Sequence, residues 1–269
     1  MAFSEPVRQA VVNYVENHLP DDQFYEQYFW FVSDGNLRGR LEEEFRSARY
    51  MYKLLEGLQA KDWLLTAQVK VQILLYASIY EAVLHHVLLQ DYTSTPQVAA
   101  LTSYEHRRPI NISGEIRKKI QDTYKPVGPI SIYETATKPI DERKIVFEDK
   151  AEAARALGLI DQSIKDIVCN VYSLRNAIHL HAEIRRGIAY EIEAAKDAYW
   201  HLKGFCQQIG NKLVADGKAI TPAATAAKSH ARPTKVSNRT ALQSWMARIR
   251  RMFGLRQLTT KSPDDNDDA

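Results

Sequence analysis

Four residues near position 180 have the types and the spacing that acid–base chemistry on a phosphodiester needs. The segment 174–183 reads LRNAIHLHAE and contains Arg175, Asn176, His179 and His181. A guanidinium can hold two phosphate oxygens, a side-chain amide can orient them, and an imidazole can donate or accept a proton near neutral pH. RNA carries its own nucleophile, the 2′-hydroxyl. These side chains are therefore the parts needed to cleave RNA without a metal ion.

The same residues also fit an ordinary helix end. Apolar periodicity predicts a helix from Asp161 to about Leu180, and cations and asparagine are both common where helices end. Arg175 follows the apolar Leu174 and lies four positions after Val171, so we expect it near the buried face. An unpaired guanidinium is costly there. Spacing alone leaves both interpretations open.

The rest of the chain predicts long helices that would position this segment. Only 11 glycines and 10 prolines occur in 269 residues, so helix breakers are few. Apolar spacing of three to four residues predicts helices over 5–32 with a break at Pro20, 41–58, 63–89, 150–180 with a break at Gly158, and 189–213. The 63–89 helix is expected to be the longest.

Residues 91–148 differ from the rest because they contain five prolines. The pattern predicts an ordered, loop-rich insertion with one helix around 115–124, capped by Ser113. Short strands are predicted at 130–133 and 144–147.

The charge is unevenly distributed. Ten of the 36 basic residues and four of the 33 acidic residues lie beyond position 217, which leaves 26 basic and 29 acidic residues and a net charge of −3 for 1–217. Gripping duplex nucleic acid over a broad face needs clustered Lys and Arg. Any contact of this body with nucleic acid is therefore expected to be local.

The most apolar stretch, 71–89, contains Gln72, Glu81, His85 and His86. These are too many polar residues for an ordinary lipid-facing span, so a buried core helix is predicted. Glu81 and His85 also have the spacing of a metal-binding pair on one helix face. No second matching set occurs elsewhere, and neither a metal nor another cofactor is predicted.

The N-terminus and the cysteines are consistent with a cytoplasmic protein. Glu5, Arg8 and Glu16 interrupt any apolar run after the first residue, so no secretory signal is predicted. Cys169 and Cys206 lack the close spacing of zinc or redox sites and are predicted to be buried free thiols.

An aromatic cluster lies near the N-terminus at Phe24, Tyr25, Tyr28, Phe29, Trp30 and Phe31. Such a stripe can stack nucleic-acid bases. No basic residue interleaves it, so packing in the core is the favoured interpretation.

The segment around Arg175 resembles the HEPN superfamily, whose members carry an Arg, four to six residues, then His, often with Asn directly after the Arg. Arg175, Asn176 and His181 fit this pattern with five intervening residues, whereas His179 departs from it. The sequence LYASIYEAVL at 75–84 is similar to the S-x-x-E helix that precedes the Arg–His helix in many bacterial HEPN proteins, with Glu81 as its acid. The likeness covers about residues 60–210.

The resemblance implies a four- or five-helix bundle that dimerises, so that two Arg–His segments face one RNA-binding cleft. It also implies metal-independent endoribonuclease activity that leaves a 2′,3′-cyclic phosphate, in phage defence, toxin–antitoxin pairing or RNA stress response. Arg175 would stabilise the phosphorane, Asn176 would orient the arginine or the phosphate, and His181 would move the proton, with His179 as its competitor. Glu81 would hold Arg175 or His181 in place.

The predicted fold is all-α, with a HEPN-like helical bundle at 61–215 that contains the insertion 91–148. A helical extension covers 1–60, a flexible linker 216–240, a basic amphipathic helix 241–257 and an acidic tail 258–269. The amphipathic helix presents Trp245, Ile249, Met252 and Phe253 between arginines. Such helices bind partner proteins or anionic membrane surfaces.

Three uses of this helix remain open from the sequence: docking to a partner or a second copy, which is favoured, a membrane surface, and nucleic acid. The alternative function for the whole chain is a catalytically silent, regulatory protein that binds a partner through its C-terminal helix. A peripheral membrane protein that uses the same helix is the third alternative.

Overall fold

The computed structural model describes residues 3–129 and 131–221, and these are mostly helical, which confirms the predicted all-α class. The helices are α1 Glu5–Asn17, α2 Asp22–Phe29, α3 Gly35–Gly57, α4 Asp62–His86, α5 Pro96–Thr102, α6 Gly114–Tyr124, α7 Phe147–Ala156, α8 Gln162–Asn176, α9 Leu180–Arg186 and α10 Ile192–Ala215. The predicted C-terminal helix with Trp245, Ile249, Met252 and Phe253, and the acidic tail, lie outside the described residues.

Several helices begin where the sequence places a short polar side chain. The carboxylates of Asp21, Asp34 and Asp161 each accept a hydrogen bond from a backbone N–H of the first helical turn, as does the hydroxyl of Ser113. These caps satisfy donors that a helix leaves unpaired at its start. Gly158, at φ +73°, ends the turn after α7, which confirms the predicted break.

Helix α4 lies at the centre of the fold and packs against α3, α7, α8 and α10. It continues as a π-helical turn, Val87–Asp91. The segment Asp62–Asp91 is long and apolar enough to cross a membrane, but 61% of its most apolar window is buried inside the protein. It is therefore the predicted core helix. Cys206, on the adjacent α10, is buried and Cys169 half-buried, and both are free thiols.

The N-terminal helices share this core. Phe45 of α3 is fully buried and contacts the rings of Tyr25 and Tyr28 at centroid distances of 5.3 and 4.8 Å. Burial raises the pKa of each of these tyrosines to about 12. Core packing of the aromatic cluster is confirmed, and burial of a side chain such as Phe45 stabilises the fold by about 1.5–3 kcal/mol.

The insertion contains an antiparallel pair of strands, β1 Ser103–Ile110 and β2 Ile132–Pro139. Helix α6 lies in the segment of chain that connects them. The register pairs Ser103 with Pro139 and Ile110 with Ile132. The strands expose most of their residues, and α5 is the helix against which β1 packs.

Of the two strands predicted in the insertion, one was wrong and the other was confirmed in part. The strand predicted at 144–147 is instead a 3₁₀ turn, Glu142–Lys144, followed by the start of α7, because Ile145 and Phe147 are buried against the helical core and do not pair with a strand. The strand predicted at 130–133 overlaps only the beginning of β2. Helix α5 was missed because its Pro96 occupies the first turn, where proline starts a helix and does not break one.

Candidate functional site

Helix α8 ends at Asn176, four residues before the predicted end, so Arg175 lies in its last turn and the histidines lie beyond it. The Ala177 side chain is fully buried, and its N–H donates to the carbonyls of Ser173 and Leu174. The hydroxyl of Tyr190 donates to the Leu174 carbonyl at 3.1 Å and satisfies one of the terminal acceptors. The continuous helix predicted to about Leu180 was wrong for this reason.

Arg175 is half-buried and forms no salt bridge with a described residue. Its guanidinium carbon lies 5.3 Å from the centroid of the Tyr172 ring, and its Nη1 donates to Asn176 Oδ1 at 3.0 Å. Cation–π contact and one neutral acceptor hold the group without cancelling its charge. The positive charge therefore remains available to an anion from solution.

Tyr172 connects Arg175 to α4. Its hydroxyl donates to Glu81 Oε1 at 3.3 Å, and its ring stacks on Phe147 with centroids 4.1 Å apart. Burial, and then the Glu81 charge, raise the pKa of the Tyr172 hydroxyl. Glu81 was expected to hold Arg175 or His181 directly, but it contacts Tyr172 instead. Sequence reasoning missed Tyr172, although its position three residues before Arg175 on one helix was the available signal.

A charged cluster adjoins Glu81. Lys150 Nζ is 3.8 Å from Glu81 Oε1, and the Lys150 side chain is only 5% exposed. His85 Nε2 lies 3.9 Å from Glu142 Oε2. Burial and the Lys150 charge lower the pKa of His85, and they outweigh the opposite effect of Glu142 and Glu81. Glu81 therefore joins Tyr172 to a buried lysine that the sequence did not mark.

His179 and His181 are both exposed, at the start of α9. The carbonyl of His179 accepts hydrogen bonds from the N–H groups of Ala182 and Glu183, so its backbone begins the helix while its side chain stays outside. Neither imidazole forms a hydrogen bond or ion pair with a described residue. Both histidines follow Arg175 within six positions, between the end of α8 and the first turn of α9, and both side chains are exposed.

Helix α9 is tied to its neighbours by polar contacts. Lys70 of α4 forms an ion pair with Glu183 at 2.7 Å and lies 4.9 Å from the centroid of the Tyr190 ring. Arg186 Nη1 donates to Ser173 Oγ at 3.2 Å. Gly187, at φ +60°, ends the helix. These contacts position the histidines relative to the end of α8.

Within the described part of the chain, no group of three or more His, Cys, Asp or Glu side chains is arranged to hold a metal ion, and the Glu81–His85 pair gains no third member. Comparisons of the chain with protein-family models, with curated proteins and with solved structures find no match.

Proposed function

We propose that the protein is a metal-independent endoribonuclease of HEPN type, as the resemblance of its Arg–His segment implies. The observation that supports the proposal most strongly is the environment of Arg175. It is half-buried, supported by Tyr172 and Asn176, without a carboxylate partner among the described residues, and followed by two exposed imidazoles. A purely structural arginine at this depth would be expected to have a counterion.

The proposed reaction is a transesterification within the RNA. The imidazole of His181 accepts the proton of a 2′-hydroxyl, whose oxygen forms a bond to phosphorus as the bond to the 5′-oxygen breaks. A protonated imidazole donates a proton to that leaving oxygen, which yields a 2′,3′-cyclic phosphate and a 5′-hydroxyl. Arg175 donates hydrogen bonds to the phosphoryl oxygens as negative charge develops on them.

A second copy of the chain is the proposed partner. Leu180 and Ile184, four residues apart on α9, are 68% and 71% exposed next to the histidines. Apolar residues at this spacing form one face of a helix, and association of two such faces would bury it. Two copies would supply two imidazoles to one substrate, one to accept a proton and one to donate it.

RNA contact is proposed to be local. Arg185 and Arg186 are exposed on α9 beside the histidines, while the body as a whole carries a slight negative charge. Single-stranded or structured RNA that reaches this end of the bundle would meet three arginines from two short segments. Such contacts weaken as salt rises.

The test is cleavage of a mixed single-stranded and structured RNA pool by the purified protein in EDTA. His181→Ala is expected to reduce the rate by about 100-fold or more, with cyclic-phosphate ends in the wild-type products. His179→Ala is compared in parallel, and His201→Ala on α10 serves as the control because it lies outside the site. Wild-type rates in both His179→Ala and His181→Ala, or no cleavage by the wild type, would contradict the proposal.

The dimer has its own test. Replacing both Leu180 and Ile184 by Ser is expected to shift the protein from dimer to monomer in sedimentation velocity, and to lower cleavage at equal protein concentration. The control pair is Ile116 and Tyr124, exposed on α6, replaced by Ser. A wild-type protein that sediments as a monomer at all concentrations would overturn the dimer, and both imidazoles would then have to come from one copy.

A further inference from the structure

A cavity of about 270 Å³ lies between α3, α4 and α10 and shares no lining residue with the site at the end of α8. Its walls combine basic and aromatic side chains. The lining residues are Arg49, Tyr52, Lys53, Glu56, Gln72, Tyr76, Ala195, Lys196, Tyr199 and Trp200. Three of these are cations and one is an acid, so the lining carries a net positive charge.

Arg49 is the cation of this cavity that has no counterion among the described residues. Its guanidinium carbon lies 4.4 Å from the centroid of the Tyr199 ring and 6.0 Å from that of Tyr52. Its Nε is buried and has no hydrogen-bond partner. A buried donor without a partner is rare in folded proteins, and no described acceptor balances this guanidinium beside the cavity. The acid of the lining does not fill this role, because Glu56 is bound to Lys53 at 2.6 Å.

The aromatic residues offer a stacking surface beside this cation. Trp200 is 69% exposed and meets the Tyr199 ring edge-on, with centroids 4.9 Å apart. Tyr76 is 1% exposed, lines the cavity, and forms no hydrogen bond with a described residue. A flat ring from a ligand can stack on the exposed indole.

We infer that this cavity binds a nucleoside monophosphate, either free or as one unit of a single-stranded RNA, with the phosphate on Arg49 and Lys196 and the base on Trp200. The positive lining disfavours a cation, and its four charged side chains disfavour an apolar ligand. Ligand cavities usually measure about 300–1,000 Å³, so a volume of about 270 Å³ limits the ligand to a small one, no larger than a single nucleotide. The inference stands apart from the proposed cleavage and does not rest on it.

Calorimetric titration of the full chain with AMP and, separately, with UMP tests the inference. Arg49→Met is expected to weaken binding by about 10-fold or more, the usual effect of losing a charge-assisted hydrogen bond. Adenosine, which lacks the phosphate, is expected to bind weaker than AMP by a similar factor. The matched control is Arg46→Met, because Arg46 lies on the same helix over the Tyr25 ring, pairs with Asp22 and does not line the cavity.

Variants at two exposed positions, Lys196 and Trp200, test the same inference if Arg49→Met fails to fold. Lys196→Met and Trp200→Leu are each expected to weaken AMP binding by about threefold or more, whereas Lys203→Met, exposed on the same helix outside the cavity, leaves it unchanged. Thermal unfolding of every variant reports whether it folds. Failure of both nucleotides to bind the wild type, or wild-type affinity in the folded Arg49, Lys196 and Trp200 variants, would overturn the inference.

The two sources of the nucleotide are separated by competition. A single-stranded oligoribonucleotide that displaces AMP assigns the cavity to a unit of RNA, and one that does not assigns it to a free nucleotide. Both outcomes retain the binding site. AMP binding is measured without any RNA cleavage. A failure of AMP to bind would therefore not contradict the proposed ribonuclease activity, which is tested separately.

Discussion

Two arginine–tyrosine pairs lie near the central helix α4, and they differ in what surrounds them. Arg175 lies 5.3 Å from the centroid of the Tyr172 ring at the end of α8, and Arg49 lies 4.4 Å from that of Tyr199 in the middle of α3. Neither arginine has a carboxylate partner among the described residues. The first is followed by two exposed histidines, and the second is surrounded by lysines and rings in a cavity.

The difference indicates that the same arginine–tyrosine contact occurs in two kinds of site, one suited to a reaction and one suited to binding. Imidazole is the side chain that exchanges protons near neutral pH, so the region of Arg175 has the groups for a reaction. The cavity of Arg49 has groups that bind an anion and a flat ring, but its lining contains no histidine. Positive charge alone therefore does not distinguish a candidate reactive region from a candidate binding region.

The largest expected effect separates the two regions by function. Arg175→Met should lower RNA cleavage by about 100-fold or more, because it removes donors to the developing phosphorane charge. The same variant should leave the dissociation constant for AMP within about twofold, since no charged group of the cavity is changed. RNA cleavage and calorimetry on the same preparation measure both values. An equal loss of cleavage and of AMP binding would remove the distinction.

The second effect is on stability and concerns one ion pair in each region, Lys150–Glu81 near Tyr172 and Lys53–Glu56 at the cavity. Glu81→Gln should lower the free energy of unfolding by about 1–3 kcal/mol, because it leaves the buried Lys150 without a charged partner. The double variant Glu81→Gln/Lys150→Met should recover most of this loss, since it removes both charges of the pair. On the cavity side, Glu56→Gln breaks a surface pair and should cost about 0–1 kcal/mol. Urea unfolding measures all three, and an equal cost for Glu81→Gln and Glu56→Gln would contradict the expectation.

A smaller effect is expected from the hydroxyl that links Tyr172 to Glu81. Tyr172→Phe keeps the ring beneath Arg175 but removes the hydrogen bond, so cleavage should fall by about 10-fold at most. Tyr199→Phe is the matched control, because it keeps the ring beneath Arg49 and should leave cleavage unchanged. Unchanged cleavage in Tyr172→Phe would show that the link to Glu81 does not position Arg175.

The smallest expected effect is a pH dependence of the free energy of unfolding, which arises from His85 on α4. Burial and Lys150 lower the pKa of His85 below its usual 6.5, against the opposite pull of Glu142 and Glu81, while His86 acts in the same direction as Lys150. The unfolded chain therefore binds this proton first as pH falls, and stability decreases from about pH 6.5 down to the lowered pKa. His85→Gln should flatten this part of the stability profile, measured by urea unfolding between pH 7 and 5. An unaltered slope would contradict the assignment.

Much of the fold follows from local pattern. The break at Pro20, the cap at Ser113 and the buried run of α4 were all predicted from the sequence, because capping and helical periodicity depend on neighbours in the chain. The pair of strands was readable only in part. β1 is polar and exposed, so it lacks the apolar alternation that marks a half-buried strand, and its pairing with β2 joins residues about 30 apart.

The candidate site was likewise predictable from the sequence only in part. The sequence by itself determined which residues there can do chemistry: Arg175 beside Asn176, and two histidines within six positions. Tertiary structure alone decided that α8 ends at Asn176, that Tyr172 stands between Arg175 and Glu81, and that Arg49 lies at a cavity without a counterion. The reason is physical. Residue type and helical spacing are properties of a short segment, whereas burial, counterions and cavities arise only where segments distant in the chain pack together.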